Sequence, residues 1–176
     1  ENLRLHARIA ELEQLASHDS LTPLFNRRHF MGELDRWCAR ALRSGGQYGL
    51  LFIDVDNMKA VNDGYGHGAG DAMLNAIGQR LLSLVRKGDV PARIGGDEFG
   101  ILLDNIKPEA LPRKAASLAE MVSKKPVDFG DIALVPSISA GFTVIDAGTK
   151  PMDLMARADR SMYAAKGAKA AYRTDG

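Results

Sequence analysis

Residues 93–100 read Arg93-Ile94-Gly95-Gly96-Asp97-Glu98-Phe99-Gly100, and this octapeptide joins two apolar segments at residues 90–94 and 99–103. Glycines between such segments predict a β-hairpin, because tight turns often need positive backbone dihedrals that glycine adopts at little cost. The adjacent carboxylates of Asp97 and Glu98 repel each other, so we expect a cation opposite them. A divalent metal that carries a polyphosphate fits this requirement. The octapeptide therefore predicts a β-hairpin and, beside it, a site for a divalent metal that carries a polyphosphate.

The composition of the 176-residue chain is that of an ordinary globular domain. Hydrophobic residues make up 45% and charged residues 26% of the chain, which is enough for one domain with a core. A net charge of +1 provides no strong excess of positive charge to attract nucleic-acid phosphates, so we expect no nucleic-acid partner. The single cysteine, Cys38, excludes an internal disulfide and favours a reducing, cytoplasmic location. No apolar run approaches bilayer length, so we expect no membrane contact by this segment.

Residues 1–17 are charged and helix-prone, and their apolar side chains recur at alternating spacings of four and three. This heptad-like stripe fits a helix packed on its own domain and equally the tail of a dimeric coiled coil from an upstream sensor. Because the chain begins at Glu1 rather than methionine, we expect it to be part of a longer protein that can carry a membrane anchor. We predict an N-terminal helix over residues 1–17 and one domain over residues 18–176. The stripe consists of Leu5, Ile9, Leu12 and Ala16.

The rest of the chain predicts helices and strands in mixed order. The nearly continuous apolar run 48–55 is typical of a strand buried on both faces. The polar, glycine-rich segment 56–71 predicts a loop, and residues 127–143 predict further strands with a turn at Gly130-Asp131. Such an order indicates an α+β fold, in which helices cover a central, mostly antiparallel sheet. Helices are predicted over residues 26–42, 72–86, 108–124 and 151–166, the first capped by Asn26.

Asp54 ends the apolar run where the chain turns into the glycine-rich segment. A carboxylate there can project from the rim of the sheet, and Asp56 lies nominally on the same face. If the hairpin lies beside this strand, Asp97 or Glu98 can approach Asp54 and form a hard oxygen site for magnesium or manganese. For each pair alone, caps or a solvated turn are the favoured explanation. Their joint occurrence with glycine-rich segments favours a metal site.

The segment after Asp54 carries groups that suit a nucleotide. The backbone amides of Asn57 and Met58 and the ammonium group of Lys59 can face phosphate oxygens. Asn62 and Asp71 suit a guanine edge, which presents donors and acceptors side by side. Locally, an Asx-turn for Asn62 and a first-turn helix cap for Asp71 are the better explanation.

Six segments, in order along the chain, resemble the GGDEF-domain diguanylate cyclases. The resemblance runs from about Asp19 to Lys166, nearly the whole chain, and a set of this size is far more specific than a Gly-Gly turn. The segments are residues 19–28 (DSLTPLFNRR), 54–59 (DVDNMK), 62–67 (NDGYGH), 70–71 (GD), 93–99 (RIGGDEF) and 158–166 (ADRSMYAAK).

The resemblance implies a palm-like fold, related to ferredoxin-like and nucleotidyl cyclase folds, and a reaction that condenses two GTP into cyclic di-GMP and two pyrophosphates. Each domain would hold one GTP, so catalysis would need a homodimer. Asp54, the Val55 carbonyl and Asp97 would hold two Mg²⁺ or Mn²⁺ per active site, with Glu98 at the same edge. Asp97, Glu98 and Asp54 are thus the implied catalytic residues. The implied GTP-binding residues are Asn57, Met58, Lys59, Asn62, Asp71, Gly96 and Lys166.

Arg86-Lys87-Gly88-Asp89 lies just ahead of the hairpin, at the spacing of an Arg-x-x-Asp inhibitory site in this family. The Arg86 fork can bind a guanine edge or a phosphate, and Asp89 can pair with guanine. The resemblance therefore implies feedback inhibition by cyclic di-GMP. On the residues alone, a helix C-terminal arginine and a turn aspartate explain the motif.

Three positions depart from the family pattern. Met58 stands where phenylalanine is common, and Met121 stands where a second inhibitory-site arginine is frequent. Ala170 replaces a usual phosphate-binding arginine, for which Lys169 or Arg173 could substitute. The change at Ala170 keeps open an alternative function, a catalytically weak domain that acts as a receptor for GTP or cyclic di-GMP. A purely structural dimerisation domain is a third interpretation, supported by the N-terminal stripe alone.

Overall fold

Strand β2 is buried along its whole length, as its apolar sequence predicts. The computed structural model describes residues 2–174 and pairs β2 with antiparallel neighbours on both sides, β4 and β7. The sheet order is β1-β3-β4-β2-β7, and only the β1–β3 pair is parallel among the described strands of this sheet. The predicted α+β fold with a mostly antiparallel sheet is confirmed. The strands of the sheet are β1 Phe25–Asn26, β2 Tyr48–Val55, β3 Val90–Arg93, β4 Glu98–Asp104 and β7 Ile138–Val144.

The predicted helices are present, and Asn26 caps α2 by accepting a hydrogen bond from the amide of His29 at 2.9 Å. A short 3-10 helix, Pro108–Ala110, precedes α5, and a separate hairpin of β5 (Val127–Phe129) and β6 (Ile132–Leu134) turns at Gly130, which has a positive φ of 61°. The helices are α1 Asn2–Ser17, α2 Arg27–Ser44, α3 Met58–Tyr65, α4 His67–Leu84, α5 Leu111–Ser123 and α6 Pro151–Thr174.

The alternation of side chains along β2 divides the core into two layers. Leu51 and Ile53 face one layer, which is closed by α3, α4 and α5, whereas Leu50 and Phe52 face the other, closed by α2 and α6. Asp54 continues the second series, so its carboxylate lies on the α6 side of the sheet at the strand end.

Helix α6 lies directly on strand β7. A Cβ atom at Gly141 would overlap backbone atoms of Met162 and Ala158, so the close approach depends on the absence of a side chain there. Leu154, Ala158 and Met162 are buried in the α2–α6 layer, as predicted.

The prediction of a loop over residues 56–71 is wrong, because α3 and the first turn of α4 occupy most of it. Gly66, with a φ of 84°, separates the two helices. Met58 is buried in the core and fixes the start of α3. Gly70 lets Asn62 approach α4, since a Cβ there would overlap the Asn62 side chain. The glycines therefore serve close packing between two helices as well as the turn.

The N-terminal helix α1 extends over Asn2–Ser17. Leu5 and Leu12, two members of the predicted apolar stripe, are 55% and 50% exposed, whereas the side chain of Ile9 lies outside the described residues. Within the part of the chain that the structure describes, no helix is both long and apolar enough to span a bilayer.

Candidate active site

The hairpin and the end of β2 meet at one edge of the sheet. Asp54 pairs with Glu98 in the β2–β4 register, and the amide of Val55 donates a hydrogen bond to the carbonyl of Asp97 at 2.9 Å. The pairing of β2 with β4 therefore brings Asp97 and Glu98 close to Asp54. Asp54 at the end of β2 thus lies next to the hairpin that carries Asp97 and Glu98.

The two hairpin glycines have roles that differ from the expected positive φ. Gly95 lies close to the Glu98 side chain, and a Cβ there would force the carboxylate of Glu98 to move from its observed position. Gly96 has no heavy atom within 4 Å of its would-be Cβ, so this side of the hairpin is open to a ligand. The expectation of positive φ is wrong for both, since the described glycines with positive φ are Gly45, Gly66, Gly130 and Gly148.

The edge is rich in negative charge. Burial raises the pKa of Asp54, which is 9% exposed, and the carboxylates of Asp97 and Asp56 raise it further. The ammonium group of Lys166 donates a hydrogen bond to Asp54 and opposes this shift. Burial likewise raises the pKa of Glu98, with Asp97 and Asp54 nearby. An additional cation would relieve this repulsion.

The donor set fits a hard divalent cation that also binds a substrate. Asp54 and Asp97 offer carboxylate oxygens, and Val55, whose amide bonds to the carbonyl of Asp97, follows Asp54 at the end of β2. Among residues 2–174, no cluster of three or more histidine, cysteine, aspartate or glutamate side chains forms a ready metal cage. Magnesium is commonly held by one or two carboxylates together with waters and substrate phosphates, so this sparse set suits it.

A cleft of about 430 Å³ lies between α3, α4 and the hairpin. Five predicted site residues line it, and so do Asp63 and His67, which the sequence did not assign to a ligand site. They were missed because the segment was predicted as a loop, whereas on a helix Asp63 shares the face of Lys59 and Asn62. The lining residues are Met58, Lys59, Asn62, Asp63, His67, Leu74, Gly96 and Asp97.

Two further predicted residues lie beside this cleft and do not line it. Asn57 has a left-handed φ of 62° and precedes α3, so the free amides of the first turn of α3 follow it directly. Asp71 is exposed, lies just beyond the first turn of α4 and follows Gly70, against which Asn62 packs. The structure thus brings Asn62 and Asp71 to the same end of α4.

Two arginines connect the hairpin to other parts of the chain, Arg93 to the segment that follows α1 and Arg27 to the start of α2, and the sequence reasoning assigned neither. Arg93 donates to the carbonyl of Gly96 at 2.8 Å and to the carboxylate of Asp19 at 3.4 Å. Arg27 donates to the carbonyl of Ile94 at 3.1 Å. Burial alone would raise the pKa of Asp19, but hydrogen bonds from Thr22 and the charge of Arg93 bring it below the ordinary value. Arg27 lies in segment 19–28 and Arg93 in segment 93–99 of the family resemblance, so that resemblance could have identified both.

The Arg-x-x-Asp motif lies at a second cavity of about 370 Å³. The carboxylate of Asp89 is 8% exposed and accepts hydrogen bonds from the amides of Arg86 at 2.8 Å and Asp104 at 3.0 Å. Met121 is 40% exposed and is not a lining residue, whereas Arg113 on the same helix lines the cavity. Position 121 thus carries no arginine, and Arg113 is the second arginine at this cavity. The lining residues are Arg86, Asp89, Leu103, Asp104, Asn105, Ile106, Lys107, Ala110, Arg113, Lys114 and Ser117.

Comparison with known proteins places this fold and site in a family. Residues 16–171 match the family model described as diguanylate cyclase, GGDEF domain. The chain is 40% identical over 157 residues to the response regulator PleD of Caulobacter vibrioides and 36% identical over 166 residues to the diguanylate cyclase VdcA of Vibrio cholerae. These matches cover 87% and 93% of the chain but 34% and 48% of the two relatives, less than half of either.

A solved structure gives the same assignment. The coiled coil and GGDEF domain of DgcB from Caulobacter crescentus, determined in complex with c-di-GMP, superimposes with a TM-score of 0.87 at 27% identity. The match covers 94% of this chain and 88% of that one. The chain belongs to the GGDEF family of diguanylate cyclases, and the predicted fold is that of this family.

Proposed function

We propose that this domain condenses two GTP molecules into cyclic di-GMP and two pyrophosphates. One observation carries the proposal: the buried carboxylate of Asp54 lies against the Asp97–Glu98 hairpin, beside a cleft that Lys59 and Asn62 line. The cyclase relatives and the c-di-GMP complex of DgcB support it.

The cleft supplies contacts for one GTP. Asn62 and Asp71 offer an amide and a carboxylate to the guanine edge. Lys59 and the free amides at the start of α3, which follow Asn57, offer positive charge to the phosphates. Lys166 reaches the same edge from α6, and the open side of Gly96 leaves room for the nucleotide.

Members of this family generally use divalent metals, and we propose two Mg²⁺ or Mn²⁺ per active site. The carboxylates of Asp54 and Asp97 and the carbonyl of Val55 would hold them, with Glu98 at the same edge. When bound, such ions lower the pKa of the attacking 3′-hydroxyl and offset charge on the leaving pyrophosphate. The chain itself orients the phosphates through Lys59 and Lys166.

The product requires a second copy of the chain. Cyclic di-GMP joins two GTP in a symmetric way, whereas each domain offers one such cleft, so two domains must face each other. The exposed Leu5 and Leu12 of α1 support a coiled coil that brings the domains together and that connects to an upstream sensor.

Incubation with GTP and Mg²⁺ tests the proposal. We expect one cyclic di-GMP and two pyrophosphates for every two GTP consumed, at a rate that rises with protein concentration or with a leucine zipper fused ahead of α1. Binding of GTP without product, even in the zipper fusion, would instead establish the alternative of a receptor domain.

Product inhibition follows from the cavity at Arg86, and we propose that it binds cyclic di-GMP. Arg86 and Arg113 line it, and Asp89 fixes the backbone of Arg86. We expect Arg86→Ala and Arg113→Ala each to weaken cyclic di-GMP binding by about tenfold to a hundredfold, the loss of a charge-assisted hydrogen-bonding group. Calorimetry at fixed salt measures this change.

The control for these variants is Lys124→Ala, which removes one positive charge at the end of α5 outside the cavity. Affinity within twofold of the reference protein in both arginine variants would reject this binding site. An equal loss of cyclic di-GMP affinity in Lys124→Ala would show that the affinity depends on the net charge of the protein rather than on contacts in this cavity.

A further inference from the structure

We propose that Lys169 is a positioning residue for the phosphate-binding end of α6. Through Asp56 it anchors the last turns of the helix and thereby places Lys166 at the active-site edge. This inference rests on the proposed function, because it concerns how Lys166 is held for GTP.

Asp56 is a rigid anchor on the sheet. Its two carboxylate oxygens accept hydrogen bonds from Ser137 at 2.6 Å and Ser139 at 2.8 Å, and its amide donates to the carbonyl of Ser137 at 2.8 Å. The side chain of Asp56 is nearly buried. These contacts join the end of β2 to the start of β7.

Lys169 connects α6 to this anchor. Its ammonium group donates to Asp56 at 3.2 Å and to the carbonyl of Ile138, so two of its three donors are used within the protein. The ammonium group of Lys169 is therefore directed toward Asp56 and the carbonyl of Ile138 in this structure. The expectation that Lys169 substitutes as a phosphate ligand for an arginine at position 170 gains no support from this geometry, and the side chains of Ala170 and Arg173 lie outside the described residues.

Lys166 lies between two fixed points of α6. Met162, one turn before it, packs against Gly141 of β7, and Lys169 follows three residues later on the same face. The two lysines thus meet two carboxylates of one strand end, Lys166 at Asp54 and Lys169 at Asp56. Without the contact between Lys169 and Asp56, the part of α6 beyond Met162 would be attached less firmly to the sheet. The side chain of Lys166 would then sample more positions.

Lys169→Met tests the proposal in the whole chain. We expect the KM for GTP to rise about threefold to tenfold while kcat falls by less than half, because a looser Lys166 weakens phosphate binding by about 1 kcal/mol. Lys169→Arg, which can still reach Asp56, should restore the reference KM. Arg160→Ala, which removes one exposed charge from the same helix, serves as the matched control and should change neither constant.

A double-mutant cycle with Asp56→Asn separates positioning from direct contact. If Lys169 acts through Asp56, the double variant should lose no more GTP affinity than the worse single variant. Additive losses would show that Lys169 contacts GTP itself, and an unchanged KM in Lys169→Met would equally overturn the proposal. Should Asp56→Asn not fold, Ser137→Ala weakens the same anchor and completes the cycle.

Calorimetry with a non-reactive GTP analogue gives a readout that is independent of turnover. A reference protein that binds the analogue but makes no cyclic di-GMP would refute the proposed reaction, while the difference between Lys169→Met and Lys169→Arg in analogue affinity would still decide the role of Lys169. Equal affinities in those two variants would refute the role.

Discussion

Asp54→Asn is expected to reduce cyclic di-GMP synthesis by about a thousandfold or more, since a metal at the reacting centre contributes several kcal/mol. The amide preserves the shape of the side chain but lacks the anionic oxygen that would hold a divalent ion. Quantification of cyclic di-GMP by chromatography after incubation with GTP and Mg²⁺ measures the loss.

The same variant should remain folded. Burial raises the pKa of Asp54, so its charged form is disfavoured in the native protein, and a neutral amide relieves that cost at neutral pH. We therefore expect a thermal midpoint that is no lower than that of the reference protein. Asp131→Asn, at the exposed turn of the β5–β6 hairpin, is the control for the loss of one carboxylate. Activity within tenfold of the reference in Asp54→Asn would contradict the metal role.

Gly141→Ala is expected to destabilise the domain by about 3 kcal/mol or more, because overlap with backbone atoms cannot be relieved by a rotamer change. The new Cβ would overlap Met162 and Ala158, so α6 would have to move away from β7. Urea unfolding followed by circular dichroism measures the change in free energy of unfolding.

Gly32→Ala is the matched control for that substitution. Gly32 lies within α2 and has no heavy atom within 4 Å of its would-be Cβ. The substitution should therefore stabilise the protein by about 0.5–1 kcal/mol through helix propensity. If Gly141→Ala costs less than 1 kcal/mol, the close contact between α6 and β7 is not a determinant of stability.

The elements that the sequence predicted are those whose signals are local. The run 48–55 is apolar at nearly every position, a pattern that is typical of a short strand buried on both faces. Asn26 caps α2 through its own side chain, and the turn at Gly130 needs a residue that accepts positive φ. Each of these signals is complete within a few residues, so no tertiary information is needed to interpret it.

The features that the sequence did not predict depend on contacts between distant segments. Helix α3 was missed because glycines at positions 64, 66, 68 and 70 suggest a loop, whereas burial of Met58 and the approach of Asn62 to Gly70 stabilise two helices. Likewise, Arg113 rather than position 121 lines the second cavity, since the orientation of α5 is set by its packing.

Site residues fall into the same two groups. Asp54, Asp97 and Glu98 were predicted together because a hairpin that lies beside the strand brings its carboxylates to the strand end, and the β2–β4 pairing provides that adjacency. The roles of Asp56 and Arg93 as internal anchors could not be predicted, since Ser137 and Asp19 are distant from them in the chain.

The pairing of Asp54 with Glu98 limits the insertions and deletions that β2 can tolerate. In a sheet the side chains alternate between faces, so inserting or deleting one residue within β2 would move every later side chain to the opposite layer. Leu50 and Phe52 would leave their core at the same step that removes the carboxylate from the metal edge. An insertion or deletion in β2 would thus disrupt both the packing of the core and the proposed metal site. Variation of the site is confined to substitutions and to the loops at its rim.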